Sequence, residues 1–162
     1  WPEQGGSGQG GERTPERRGV ATQMEKHLEQ EPTDVRAWSM LGQTDTRLAE
    51  YDTAAQVYQR ARGVDGGNAE LLAARAEVLV LAAKGIVPPE AQAIFQTVLK
   101  KSPGNSRALF YLAVADEQNG NLEEALTRCM TLLETSHADA PWPAMARPRA
   151  TRTATAHALH PL

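Results

Sequence analysis

The chain has 162 residues, of which 41% are hydrophobic, 23% are charged and 5% are aromatic. This length suits one domain with tails, and the scarcity of aromatic residues favours a core packed by alanine and leucine. The net charge of −3 argues against a nucleic-acid-binding protein, which usually carries a basic face. The single cysteine, Cys129, excludes a disulfide within the chain and any metal or iron–sulfur site that needs several cysteines.

The ends of the chain predict loose segments. Residues 1–19 contain six glycines and two prolines, which predicts a flexible linker. The chain starts at Trp1 and not at methionine, so we expect a fragment or a processed product from which an anchor or export signal has been removed. The sequence "PWPAMARPRATRTATAHALHPL" carries four prolines and no helical stripe, which predicts a mostly disordered tail over 143–162.

Helical periodicity begins at Val20 and continues through Met24 and Leu28 at four-residue steps. Pro32 ends this helix, and Thr33 or Asp34 can cap the next one. Three sets of equivalent positions then recur along the chain, and the ends of the units recur with them at separations of 34, 37 and 34 residues. The equivalent positions are Trp38, Leu72 and Leu109; Ala54, Ala91 and Ala125; Tyr58, Phe95 and Cys129; and the unit ends Pro32, Gly66, Pro103 and His137.

Such a unit is a pair of antiparallel helices that needs small residues at the crossing and large ones beside it. Gly42 and Ala54 permit the close approach, and Trp38 and Tyr58 fill the gaps. The pattern resembles the tetratricopeptide repeat, from which it departs at Asp45, Cys129 and His137, and the long middle unit contains a three-residue insertion in "AAKGIVPPEA". The sequence therefore predicts an all-α solenoid over 20–142, a right-handed arc of three repeats plus a leading helix. Because no polar cap follows Leu133, the last repeat is expected to self-associate through exposed apolar surface.

The resemblance extends from the repeat to a particular family. The turn "NAELL" at 68–72, the insertion and its sequel "GIVPPEAQAIFQTVLKKSPGNSRALFYLAVADEQNGNLEEAL", and the closing "ADAPW" at 138–142 resemble the periplasmic domain of cytochrome c-type biogenesis proteins of the CycH/CcmI type. A related chaperone of nitrite-reductase assembly is similar over the same stretch. The tail departs from this family, which usually continues with a charged amphipathic helix; a frameshift is one hypothesis for that difference.

The resemblance implies a protein anchored in the bacterial inner membrane whose repeat domain lies in the periplasm. It also implies that the domain binds the C-terminal segment of apocytochrome c and passes it to the haem-attachment machinery, with other cytochrome c maturation proteins as partners. The alternative is a general scaffold for assembling multiprotein complexes, with no tie to cytochromes. The repeat pattern fits both functions, and only the insertion and "ADAPW" favour the first.

Nothing in the sequence indicates catalysis, so the prediction is a protein that is not an enzyme and that holds no cofactor or metal. The four histidines lack i, i+4 spacing and no Cys-x-x-Cys-His motif is present, which favours structural or solvated histidines over ligands. Cys129 stands at a packing position and is interpreted as a buried, unreactive thiol.

The first helices of the repeats are expected to line a groove for an amphipathic peptide helix. In this interpretation Phe110 is an apolar anchor, although an equally supported alternative places it in the core between repeats. The predicted groove residues are Arg36, Ser39, Gln43 and Arg47 in the first repeat, Ala73, Glu77 and Val80 in the second, and Phe110, Val114, Glu117 and Gln118 in the third.

Overall fold

The computed structural model describes residues 8–65, 68–135 and 142–159. Within these ranges the chain forms helices joined by short loops, and the fold class predicted from the sequence is confirmed. The helices are α1 (Gly8–Gln30), α2 (Val35–Arg47), α3 (Tyr51–Asp65), α4 (Ala69–Ala82), α5 (Pro89–Lys101), α6 (Ser106–Gln118), α7 (Leu122–Thr135) and α8 (Trp142–Leu159).

One polar residue begins the first helix of every repeat. The Asp34 carboxylate accepts a hydrogen bond from the backbone N–H of Ala37 at 3.1 Å, and the Asn105 side chain accepts one from Ala108 at 2.9 Å. Asn68 stands at the same place in the middle repeat and accepts from the backbone N–H of Glu70 at 2.8 Å. Because the first turn of a helix leaves backbone donors unpaired, these caps fix where α2, α4 and α6 begin.

The close helix crossing expected from the sequence is present. Ala54, Ala91 and Ala125 are fully buried. A Cβ atom added at Gly42 would lie only 2.6 Å from the ring of Tyr58, so glycine is what allows α2 and α3 to approach. The predicted packing of small residues against large ones is confirmed.

Contacts divide the chain into two compact units, Trp1–Leu71 and Leu72–Leu162. In unit 1, α2 packs against both α1 and α3. In unit 2, α6 packs against α5 and α7, and α8 packs chiefly against α7.

The leading helix is longer than predicted. Residues 8–19 were expected to belong to a flexible linker, but they form the first part of α1, which begins at Gly8. Glutamate and arginine are good helix formers and are frequent in this stretch. Arg18 also forms an ion pair with Glu50 at 2.7 Å. The buried side of α1 carries Ala21 and Leu28, whereas Val20 is exposed.

The prediction of a disordered tail over 143–162 differs from the structure, in which residues 142–159 form α8. The sequence of α8 has no apolar stripe, but tertiary packing buries Ala146, Ala150 and Thr153 against the preceding repeat. Proline is tolerated in the first turn of a helix, so Pro143 does not prevent its start. Because α8 covers the end of the last repeat, the reason given for self-association, an uncapped apolar end, was wrong.

The insertion in the middle repeat forms the loop between α4 and α5. Lys84 and Gly85 take positive φ angles of 56° and 94° there, a conformation that costs glycine least. Several features noted in the sequence lie outside the described residues, namely residues 1–7, Gly66, His137, the stretch 138–141 and His160.

Candidate functional site

The four predicted groove residues of unit 1 all lie on α2. Arg36, Gln43 and Arg47 are exposed and Ser39 is half-buried. Their spacing of three or four residues places them along one side of the helix. The structure thus gives unit 1 a polar stripe that a partner can reach.

The apolar residues predicted for the groove of unit 2 are core residues. Ala73, Val80, Phe110 and Val114 are all buried, so these four residues are not open to a partner as a groove lining would be. For Phe110 and Val114 the reason is that α6 is packed by α5, α7 and α8 together, which leaves few of its side chains at the surface.

The surroundings of Phe110 show what buries it. Its ring lies 5.3 Å from the ring of Trp142 in α8, and the guanidinium of Arg149 lies 5.4 Å above it. Tyr111 contacts it edge-on at 5.2 Å. These contacts, with only 4% of Phe110 exposed, favour the alternative in which this residue belongs to the core.

Glu77 remains accessible and holds a polar cluster between α4 and α6. Its carboxylate lies 3.3 Å from Nε of Arg107, within ion-pair distance but without the alignment of a hydrogen bond. The Tyr111 hydroxyl interacts with the same carboxylate. Burial, followed by the negative charge of Glu77, raises the pKa of Tyr111, so the phenol stays protonated and can donate to Glu77.

Glu117 and Gln118, at the end of α6, bind other parts of unit 2. Glu117 pairs with Arg149 and accepts a hydrogen bond from the Thr153 hydroxyl at 2.7 Å. The Gln118 amide donates to the carbonyl of Gly85 at 2.9 Å and accepts from the N–H of Val87 at 3.1 Å. Gln118 therefore fixes the insertion loop.

The half-buried polar and aromatic side chains of unit 2 form one surface, which we call the α4–α6–α8 surface. It combines two ion pairs with two aromatic rings, and its charged side chains keep between 20% and 29% of their area exposed. Such a surface can contact both apolar and charged groups of a peptide. Its residues are Glu77, Arg107, Tyr111, Glu117, Trp142 and Arg149.

Sequence reasoning missed four of these residues. Trp142 was counted only as the end of "ADAPW", and Arg149 lies in the segment predicted to be disordered. Arg107 and Tyr111 lie on α6, where Phe110 was assigned to the groove in their place. The adjacent aromatic residues Phe110 and Tyr111 were the sequence signal that could have indicated this surface. Consecutive residues of a helix point in different directions, so one ring can face the core while the other faces the surface.

Cys129 and His27 are potentially reactive side chains of the described chain, and both take part in structural contacts. Cys129 is fully buried, as predicted, and burial raises the pKa of its thiol. His27 lies 2.8 Å from Asp34, and this contact is the main reason that the pKa of Asp34 is lowered. No group of three or more potential metal ligands occurs among the described residues. None of the described helices combines the length and apolar character that a membrane crossing needs.

Three capped helical hairpins with small residues at their crossings define a tetratricopeptide-repeat protein. Solved structures agree on this fold. The protein YrrB, described as a TPR protein with an unusual peptide-binding site, aligns with a TM-score of 0.66 and 19% identity over 91% of this chain and 72% of its own. The MamA protein aligns with a TM-score of 0.65 and 13% identity over 94% of this chain and 92% of its own.

Residues 15–142 match the family described as the TPR domain of cytochrome c-type biogenesis protein H, and the chain belongs to this family. It is 33% identical over 123 residues to the cytochrome c-type biogenesis protein CycH of Bradyrhizobium diazoefficiens, covering 76% of this chain and 33% of that protein. It is 38% identical over 118 residues to CycH of Rhizobium meliloti, covering 73% and 31%. The resemblance found in the sequence is confirmed, and the chain spans about a third of the length of these relatives.

Proposed function

We propose that this chain is a peptide-binding chaperone and adaptor module in cytochrome c maturation. It holds the C-terminal helix of apocytochrome c for delivery to the haem-attachment machinery, and it acts by binding and not as an enzyme. Membership of the cytochrome c-type biogenesis family supports the process. YrrB has a similar fold and is described as having a peptide-binding site, which supports peptide binding as the way in which this domain acts.

The α4–α6–α8 surface is the observation that carries the peptide-binding part of this proposal. Glu77 and Arg107 form a half-buried pair on it, and Tyr111 and Trp142 add aromatic area. An amphipathic helix offers the complementary chemistry, with an apolar face for the rings and charged flanks for the ion pairs. The exposed α2 stripe of unit 1, with Arg36 and Arg47, is proposed as a separate contact for the same class of partner.

The proposal extends to the setting of the full-length protein. We infer that the protein is anchored in the bacterial inner membrane, that this domain lies in the periplasm, and that other cytochrome c maturation proteins contact it there. Family membership supports each of these inferences.

The proposal is tested by titrating a fluorescently labelled peptide, with the sequence of the C-terminal helix of a c-type apocytochrome, into the protein. Arg107→Gln is expected to weaken binding roughly fivefold at low salt, because a half-exposed charge that steers and orients a peptide contributes about 1 kcal/mol. At about 0.5 M salt the difference is expected to shrink, since ions screen such contacts.

Arg75→Gln is the matched control. Arg75 also lies in an ion pair between helices of unit 2, with Glu90 at 2.9 Å, but two residues from Glu77 it faces another side of α4. Its loss is expected to leave the peptide affinity unchanged. A scrambled peptide that binds as tightly as the apocytochrome peptide would refute the cytochrome assignment, whereas equal effects of the two arginine substitutions would refute the α4–α6–α8 surface.

A further inference from the structure

Unit 2 exposes two large apolar side chains close together, where α4 passes into the insertion loop. Leu81, on the last turn of α4, is 36% exposed, and Ile86, in the loop, is 64% exposed. The backbone N–H of Gly85 donates to the carbonyl of Val80 at 3.0 Å, so the chain turns back here and keeps Ile86 beside the end of α4. The other exposed large hydrophobic side chains of the described residues lie singly, on α1, α2, α7 and α8. We call this pair the Leu81–Ile86 patch.

The loop that carries Ile86 is held in place by contacts on both sides of that residue. The Gln118 side chain binds the carbonyl of Gly85 and the N–H of Val87, the backbone groups directly before and after it. Val87 is buried, and its carbonyl accepts a hydrogen bond from Gln92 at 3.1 Å. Because these contacts use the backbone and turn Val87 inward, the side chain of Ile86 stays on the outside. A segment that is already ordered loses less conformational entropy when a partner covers it.

The Leu81–Ile86 patch continues the α4–α6–α8 surface. On α4, Leu81 lies one turn beyond Glu77 and on the same side of the helix. On α6, Gln118 lies seven residues beyond Tyr111, two turns further along the same side, and it contacts the loop at that point. Seven residues of helix span about 10 Å. The patch therefore forms one end of the α4–α6–α8 surface, two helical turns from Tyr111.

We propose that the Leu81–Ile86 patch binds the apolar face of the same peptide helix that occupies the α4–α6–α8 surface, an assignment that rests on the peptide-binding function proposed above. A helix lying along α6 places side chains that are seven residues apart at the separation between Tyr111 and the patch. The partner is therefore an amphipathic helix with apolar residues seven positions apart, one on the aromatic rings and the next on the patch. Lys84, exposed in the same loop, complements an acidic residue near that end of the peptide.

The test compares Ile86→Ser with Arg107→Gln in the titration of the labelled apocytochrome peptide. Ile86→Ser is expected to weaken binding about fivefold, because the peptide then covers less apolar surface. The loss is expected to persist at about 0.5 M salt, since ions do not screen apolar burial, whereas the loss in Arg107→Gln shrinks. Because Ile86 is exposed and its backbone contacts do not depend on its side chain, Ile86→Ser is expected to keep the helical circular dichroism of the wild type.

Two further variants frame this result. Leu81→Gln changes the other half of the patch without altering the loop, and it is expected to weaken binding in the same salt-independent way. Met130→Ser is the matched control. Met130 is an exposed apolar residue of α7 that lies outside the α4–α6–α8 surface, so its replacement is expected to leave the peptide affinity unchanged.

Gln118 acts here as a positioning residue, which a double variant tests. Gln118→Ala frees the loop and is expected to weaken binding about threefold, since Ile86 must then be ordered when the peptide binds. Combined with Ile86→Ser, it is expected to cause no further loss, because the loop then carries no apolar side chain to position. Fully additive losses would refute the positioning role.

Four results would overturn the proposal. If Arg107→Gln weakens binding and Ile86→Ser does not, the peptide-binding function stands and the patch has no part in it. A loss in Ile86→Ser that disappears at about 0.5 M salt would show a charge effect and not an apolar contact. Self-association of the wild type that Ile86→Ser abolishes in sedimentation velocity would assign the patch to a second copy of the chain. Absence of peptide binding by the wild type would refute the proposed function, and the patch assignment with it.

Discussion

Two positions of α2, three residues apart, recur in the later repeats, and the residue at each one decides which contacts the helix makes. Gly42 is followed by Ala76 and Ala113 at the same place in the later repeats, and each of these positions is buried. At this position the crossing with the second helix demands a small side chain. Asp45, one turn later, is matched by Asp116 in the third repeat, but only Asp116 has an arginine to pair with.

Gly42→Ala is expected to destabilise the protein by about 1–3 kcal/mol, because the added Cβ would overlap the ring of Tyr58 and force one helix to shift. Gly63→Ala in α3 is the matched control. A Cβ there meets nothing within 4 Å, so the helix should gain about 0.5–1 kcal/mol. Urea unfolding of both variants measures the difference, and equal stabilities would show that the contact between Gly42 and Tyr58 does not limit the approach of α2 to α3.

Asp45 is expected to make stability depend on pH. Burial raises its pKa to about 6 in the folded protein, above the ordinary 3.8, so the folded state holds a proton that the unfolded state has lost. The contribution of Asp45 to stability is therefore fully present below about pH 4, is lost as the pH rises to about 6, and does not change above that. Asp45→Asn should remove this step of about 1–3 kcal/mol and be the more stable protein at pH 7. Denaturant unfolding between pH 4 and pH 7 measures it, and parallel curves for the two proteins would refute this assignment.

At the scale of an element, α8 shows how a helix can form without an apolar stripe of its own. It contains Pro148 as well as Pro143, and threonines and arginines occupy many of its positions. What holds it is contact with the last repeat: Ala150 packs beside Cys129, Trp142 contacts Phe110, and Arg149 pairs with Glu117. In this way α8 covers the α6–α7 hairpin, as a capping element covers the apolar side of a repeat.

Removing residues 142–162 is expected to expose the apolar surface that α8 covers and to make the shortened protein self-associate. Sedimentation velocity at increasing concentration measures this, with removal of residues 160–162 alone as the control that should not associate. A shortened chain that remains folded and strictly monomeric would mean that α8 is dispensable as a cap.

At the scale of the whole molecule, the chain offers separate surfaces in its two compact units. Unit 1 has the polar α2 stripe, and unit 2 has the α4–α6–α8 surface. The chain spans about a third of the length of its CycH relatives.

The sequence by itself determined the repeat, its length and its phase, because the residues at the helix crossings must be small in every hairpin and the caps must precede every first helix. Ala54, Ala91 and Ala125 are informative for that reason, since their environment is set by the hairpin to which they belong. The family could be recognised from the same local features together with the insertion.

Only the tertiary structure decided which side chains face a neighbouring hairpin. Phe110 is buried because α8 lies over it, and α8 itself was hidden from sequence reasoning because its burial comes from the partner surface and not from a stripe of its own. The lack of a hydrogen-bond partner at Oδ2 of Asp45 was equally invisible in the sequence, since Arg128, the partner of Asp116, corresponds to Val57, which is twelve residues from Asp45 and on another helix. Local periodicity specifies a hairpin, whereas the contacts between hairpins depend on residues that are distant in sequence.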